Sequence, residues 1–251
     1  MGRQHTLDPA IDARNQGRRP GVLRSLHEKI MSLDGETEQV MRFVSGACAA
    51  SGRRVLDVGC GYGRFLGRMH AAGLDATGVD VNAEIVAANR KQGLRCLAAD
   101  EFKGSAGEYD VLLMSHLIEH FAPRELLALM DGYLDRLRVG GRLVIATPLM
   151  SDYFYDDFDH VKPYQPAGIR EVFEDDAAQV QYRARNRLAL RELWYRRSPK
   201  RISHARSRFV AGPASRLLFA LDLLASIAYL ASGRLYATVN GWVGVYEKTR
   251  A

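Results

Sequence analysis

In the stretch Val55-Leu56-Asp57-Val58-Gly59-Cys60-Gly61-Tyr62-Gly63, three glycines alternate with other residues directly after a short apolar run that carries one carboxylate. Glycine tolerates positive φ and lets the backbone approach a ligand closely. An open α/β sheet presents such a turn to its ligand at the end of the first strand. Asp57 would repel a dinucleotide pyrophosphate, whereas it suits a ligand that carries an ammonium group. Asp80 closes the next apolar run, where an acid can accept hydrogen bonds from two ribose hydroxyls. Asp100 closes the third run. A second constellation, Ser115-His116-Leu117-Ile118-Glu119-His120, follows a fourth run, and His160 stands apart in Asp159-His160-Val161-Lys162-Pro163-Tyr164. Imidazole titrates near neutral pH, so His120 or His160 can take a proton from a hydroxyl as general base. The alternative is that Glu119 and His120 only orient the loop or touch a cofactor.

These residues need a frame, and the apolar pattern predicts one. Glu36 to Ala50 repeats apolar residues at helical spacing. Runs at Arg54–Val58, Ala76–Asp80, Leu94–Ala98, Tyr109–Met114 and Leu143–Ala146 then alternate with helical stretches at Phe65–Ala72, Ala83–Lys91 and Pro123–Leu137. Regular β-α-β alternation predicts an α/β fold, a doubly wound sheet with helices on both faces. Beyond Pro148 the spacing predicts a loop over Asp152–Tyr164, a short helix over Ala167–Glu174, a long strand over Val180–Tyr195, and a closing strand pair or bent strand around Asn240-Gly241. Residues 1–33 read as a flexible N-terminal arm ahead of a single domain over 34–251, and the chain has no internal repeat.

The 251 residues are 47% apolar and 25% charged, the balance of a folded globular chain. Three cysteines with no CxxC spacing support neither a disulfide framework nor a zinc finger, so a reducing compartment is expected. The polar, Arg-rich N-terminus has no apolar core of a secretory signal, and a cytoplasmic place is expected. Net charge is +6, yet between Arg183 and Arg216 eleven arginines and lysines face the single acid Glu192. Such a block seeks phosphate, on nucleic acid, lipid or substrate. Nucleic acid is disfavoured because only Trp194, Tyr195 and Phe209 are at hand for base stacking. The apolar run Leu217–Ala231, fifteen residues with Asp222 inside, falls short of the roughly 18 to 20 that span a bilayer.

The segment Val55 to Gly63 resembles motif I of class I S-adenosylmethionine-dependent methyltransferases, and the resemblance extends over Glu36 to Pro148. It implies a seven-stranded mixed Rossmann-like sheet with a reversed last strand near Trp242, and S-adenosylmethionine as cofactor. It further implies that Asp57, Gly59, Cys60, Gly61, Asp80, Asp100 and Ser115 bind that cofactor, with Asp80 on the ribose and Asp100 at the adenine. His116, Glu119, His120 and His160 resemble the metal-binding set of RNA 2′-O-methyltransferases, but His116 replaces the first acid, which weakens magnesium ligation; no metal is assigned. His120, His160 and Glu119 are the candidate catalytic residues.

The plain fold has a short connection before its last strand, whereas here residues 196–234 form a basic and apolar insertion. It suits an anionic membrane surface, which places the chain peripherally at the inner membrane face; helix pairing within the fold or in an oligomer is the competing use. The expected activity is O-methylation of a sugar hydroxyl on a cell-surface glycan or lipid-linked precursor. A quinone-type lipid or RNA acceptor, or a non-catalytic cofactor-binding scaffold, are the alternatives.

Overall fold

The computed structural model describes residues 22–31, 33–105, 107–151, 153–174, 177–201 and 212–250. Most of the expected arm lies outside them; its described part is a helix, α1 (Val22–Met31), which packs on a helix near the C-terminus. Then follow α2 (Glu36–Ser51), β1 (Arg54–Val58), α3 (Arg64–Ala71), β2 (Asp75–Asp80), α4 (Ala83–Lys91), β3 (Cys96–Ala98), α5 (Ala99–Gly104), β4 (Tyr109–Ser115) and α6 (Pro123–Leu134). The chain continues through β5 (Leu137–Pro148), α7 (Pro166–Phe173), β6 (Arg187–Pro199), α8 (Pro213–Ala231) and β7 (Ala237–Arg250).

Among the described residues the strands form one seven-stranded sheet in the order β3-β2-β1-β4-β5-β7-β6. Strands β1 to β5 are parallel, and β7 is antiparallel to both β5 and β6. The central strands are apolar on both faces because both are covered. On β4, Val111 and Leu113 face α2 residues Val40 and Val44, while Leu112 and Met114 face the layer of Leu126, Met130 and Trp242. Strand order reverses between β1 and β4, the switch point where sheets of this kind bind ligands.

The expected elements are present with shifted ends, and each shift has a cause. β5 starts at Leu137 because the Gly140-Gly141 pair bends the strand instead of stopping it: Gly140 has φ +80, and the register with β4 slips between Tyr109 and Val111. β6 runs Arg187–Pro199 rather than Val180–Tyr195, and its exposed Arg191 and Arg197 occupy a sheet edge, where charge discourages further pairing. Asn240-Gly241 lies within the single bent strand β7. α8 has nineteen residues, because Pro213 opens it at a position where the missing N–H costs nothing. That corrects the fifteen-residue reading: by length and composition α8 could cross a membrane.

Trp242 fastens β7 beneath the site. It pairs with Thr147 of β5, is fully buried, and donates its indole N–H to the Tyr164 carbonyl at 2.8 Å. Trp242→Ala is expected to cost about 3–5 kcal/mol by urea unfolding; an unchanged midpoint would refute this role.

Candidate active site

Beyond the carboxyl ends of β1 and β4 opens a cavity of about 840 Å³. Its floor is the glycine loop. Gly59 has φ +70, and a Cβ there would meet Leu117 Cδ1 at 2.8 Å; Gly63 has φ +80, and its Cβ would lie 2.3 Å from Asn89 Oδ1. Side chains at either position are excluded by strain and by contact together. Asp80, 7% exposed, accepts the Gly61 N–H at 3.0 Å and the Asn82 N–H at 2.9 Å, so it also pins the loop.

Asp57, Gly59, Cys60, Gly61, Ser115, His120 and His160 line this cavity. Asp57 Oδ2 and Ser115 Oγ are buried there without a hydrogen-bond partner among the described residues. Burial raises the Asp57 carboxyl to about 7, with Arg64 drawing it down and Asp80 pushing it up. An unpaired buried carboxylate beside a bare glycine turn fits the ammonium end of an amino-acid-bearing cofactor. Asp80 does not line the cavity and lies behind the loop it holds. Asp100 is not brought to the cavity either: it stands exposed in the first turn of α5, paired with Lys103 at 3.0 Å. A short polar side chain at a helix start finds its partner locally.

The far wall holds the histidines. His120 Nδ1 lies 3.1 Å from the Asp159 carbonyl and His160 Nδ1 lies 2.6 Å from the Phe154 carbonyl. A carbonyl only accepts, so each Nδ1 carries a proton, and His160 Nε2 lies 3.8 Å from Asp157 Oδ2. The two rings are 5.0 Å apart at 62°. Glu119 is fully buried: it accepts from Thr147 Oγ1 at 2.9 Å, and its carbonyl takes the N–H groups of Val161 and Lys162. It thereby joins the His120 and His160 segments. Ligand-capable atoms of Glu119, His120 and His160 lie within 4.8 Å of one another, a spacing that one divalent cation can bridge.

Sequence reading missed the charges between the two walls. Glu36, at the start of α2, pairs with His116 Nε2 at 2.6 Å and with Arg196 at 2.6 Å, while His116 Nδ1 lies 3.3 Å from Glu119. His116 takes a left-handed φ of +52 to reach both acids, a strained conformation that its partners hold in place. Burial opposes its charge, but Glu36 and Glu119 outweigh it and hold the pKa at about 10; burial likewise opposes Glu36, which His116 and Arg196 bring to about 2. His116 is therefore a cation at neutral pH, unsuited to accept a proton or ligate a metal. Tyr153, with the Arg201 guanidinium 4.8 Å over its ring, and Asn240 complete the lining.

A doubly wound sheet of this order, with its cavity at the switch point over a glycine loop, defines a class I S-adenosylmethionine-dependent methyltransferase. The chain belongs to the methyltransferase-domain family, whose model matches residues 31–211. It is 29% identical over 166 residues to a ubiquinone biosynthesis O-methyltransferase of Cereibacter sphaeroides, covering 59% of this chain and 66% of that one. A ubiquinone biosynthesis O-methyltransferase of Bordetella avium is 35% identical over 83 residues, covering 30% and 34% respectively. The chain thus spans between a third and two thirds of the length of these relatives. A solved S-adenosylmethionine-dependent methyltransferase of Archaeoglobus fulgidus superposes with TM-score 0.55 at 18% identity, over 84% of this chain and 92% of that one. Magnesium protoporphyrin IX methyltransferase of Synechocystis, solved with S-adenosylhomocysteine, gives 0.53 at 14% identity, over 96% and 94%. Residues 31–211 thus carry the domain of the S-adenosylmethionine-dependent methyltransferases.

The charged cluster makes a prediction whose sign is fixed by linkage. Because the folded pKa of His116 is raised, its contribution is full below its unfolded value near 6.5 and is lost as pH climbs through about 10. The stability advantage of wild type over His116→Gln, read from urea unfolding, should shrink steadily from pH 7 to pH 10. A gap independent of pH would remove the ion-pair account.

Proposed function

We propose that this methyltransferase acts on a phenolic hydroxyl of a quinone-type lipid. The paired imidazoles carry the reading: two rings, each with Nδ1 committed to a carbonyl, sit in the cavity wall beside the aromatic side chains of Tyr153 and Phe154. A phenol ring suits such aromatic neighbours, and its hydroxyl is acidic enough for a histidine to deprotonate. The curated relatives are ubiquinone biosynthesis O-methyltransferases, which favours a phenol over the sugar hydroxyl expected from the sequence.

Asp57 receives the cofactor's ammonium group and Ser115 a second polar group of its amino-acid end, while Gly59 and Gly61 let the backbone lie against it. Bound S-adenosylmethionine supplies the methyl group as an electrophile. His120 or His160 takes the phenol proton on Nε2 as the new C–O bond forms; the C–S bond breaks with its electron pair staying on sulfur. Cavity walls that held the acceptor oxygen in line with the methyl group would supply much of the acceleration in such a displacement. The Glu119, His120 and His160 cluster supports a second reading, in which a divalent cation holds the phenolate instead.

Transfer of labelled methyl from S-adenosylmethionine tests this, with a polyprenyl catechol and a lipid-linked sugar as competing acceptors. The catechol should be labelled; label on the sugar alone would overturn the proposal. His120→Ala and His160→Ala should each lower kcat roughly 10²-fold or more while sparing cofactor affinity. Turnover that survives a chelator supports the imidazole base, and turnover abolished by it supports the metal. Cofactor affinity carries its own pH signature. With Asp57 near 7, its protonated form must ionise to meet the ammonium, so affinity in calorimetry should rise several-fold from pH 6 to pH 7.5. Asp57→Asn should bind weakly and without that slope; a slope retained in the variant would clear Asp57 of the role.

A further inference from the structure

Helix α8 is built inside out. A surface helix ordinarily turns its apolar stripe to the core and its charges to water. Here the buried side carries Ser215, Asp222, Ser226 and Tyr229, whereas the exposed residues at helical spacing are Pro213, Leu217, Ala220, Leu224, Ile227 and Ala231. Leu217 is 64% exposed, Leu224 61% and Ile227 47%. The polar side is anchored rather than merely hidden. Ser226 Oγ bonds the Asp222 carbonyl at 2.9 Å and lies 3.2 Å from His27 Nδ1 of α1, and the Tyr229 hydroxyl donates to the Arg197 carbonyl of β6 at 3.1 Å. These bonds fix which face points outward. Apart from Arg216 at its start, the outward face has no charged residue along nineteen positions.

The place of the helix matters as much as its face. Residues 237–240 of β7 run past the end of β5, and the β6–β7 pair projects beyond the carboxyl edge of the sheet. Ser198, Pro199, Arg201 and Thr238, at the roots of the α8 connection, line the same cavity as the two histidines. On the opposite wall the loop that carries His160 presents Phe158, 98% exposed. Exposed aliphatic surface of this extent calls for a partner. The charge beside it says which: Lys200, Arg201 and Arg216 bracket the start of the helix, and Arg206 and Arg208 lie between them in the sequence, with no acid from Lys200 to Arg216.

We propose that α8 lies on an anionic phospholipid bilayer with its Leu217–Leu224–Ile227 face in the acyl boundary and the adjoining arginines on lipid phosphates, so that the cavity opens toward the membrane. The buried Asp222 and the anchoring of α8 to α1 and β6 keep the helix along the surface instead of across it. Membrane docking stands independently of the acceptor's identity, because it concerns a surface outside the catalytic walls.

The test is flotation of the full-length protein with phosphatidylglycerol–phosphatidylcholine vesicles, with no acceptor present. Wild type should float with the anionic vesicles, at least tenfold less with pure phosphatidylcholine or in high salt, and be released by alkaline carbonate. The combined Leu217→Ser, Leu224→Ser and Ile227→Ser variant should lose flotation while binding S-adenosylmethionine as wild type does, which separates docking from folding. Equal flotation of variant and wild type, no flotation of wild type, or retention in carbonate would each overturn the proposal. So would a wild-type dimer without lipid that becomes monomeric in the variant, since the face would then be a subunit interface. Loss of catechol methylation with flotation intact would count against the acceptor reading and leave docking standing.

Discussion

Four charges bind three distant parts of the chain at the centre of this molecule. Glu36 opens α2, His116 and Glu119 follow β4, and Arg196 is near the end of β6, yet their side chains form one continuous series of ion pairs. Buried charge is tolerated only when paired, and removing one member leaves another stranded. The alternation of acid and base therefore specifies how the leading helix, the post-β4 loop and the β6–β7 pair meet. His116 takes a left-handed backbone where its imidazole stands between two carboxylates.

Around this cluster the cavity divides by chemistry. On the side of β1 the chain offers bare backbone and unpaired polar atoms, Asp57 Oδ2 and Ser115 Oγ. On the opposite side Glu119 is held by Thr147 and His116, and both imidazoles give Nδ1 to backbone carbonyls. In the function proposed here, one wall receives the cofactor's charge and the other moves a proton. The fixed positive charge of His116 between them belongs to neither task, and its pKa near 10 keeps it out of proton transfer.

The same economy explains the odd composition of α8. An amphipathic helix can be read in either direction from its sequence, because Asp222 and Ser226 mark only a narrow polar stripe. Hydrogen bonds from Ser226 and Tyr229 to the backbone and to the neighbourhood of α1 decide that this stripe faces inward. Aliphatic side chains are left on the outside by default.

Local pattern was enough for the doubly wound sheet and the glycine turn, because period-two and period-3.6 hydrophobicity and positive-φ glycine are properties of neighbouring residues, while the cofactor class followed from the resemblance of Val55 to Gly63 to motif I. β1 and α4 end where the periodicity stops, at Val58 and Lys91. Only tertiary structure decided the rest. Glu36 meets His116 across 80 residues and Arg196 across 160, and no local signal marks such partners. Asp100 pairs with Lys103, and Glu119 is buried against Thr147, a contact that no local pattern marks. Sequence states which groups are available; the direction each side chain points, and whom it meets, is fixed when the sheet closes and burial forces every charge to find a partner.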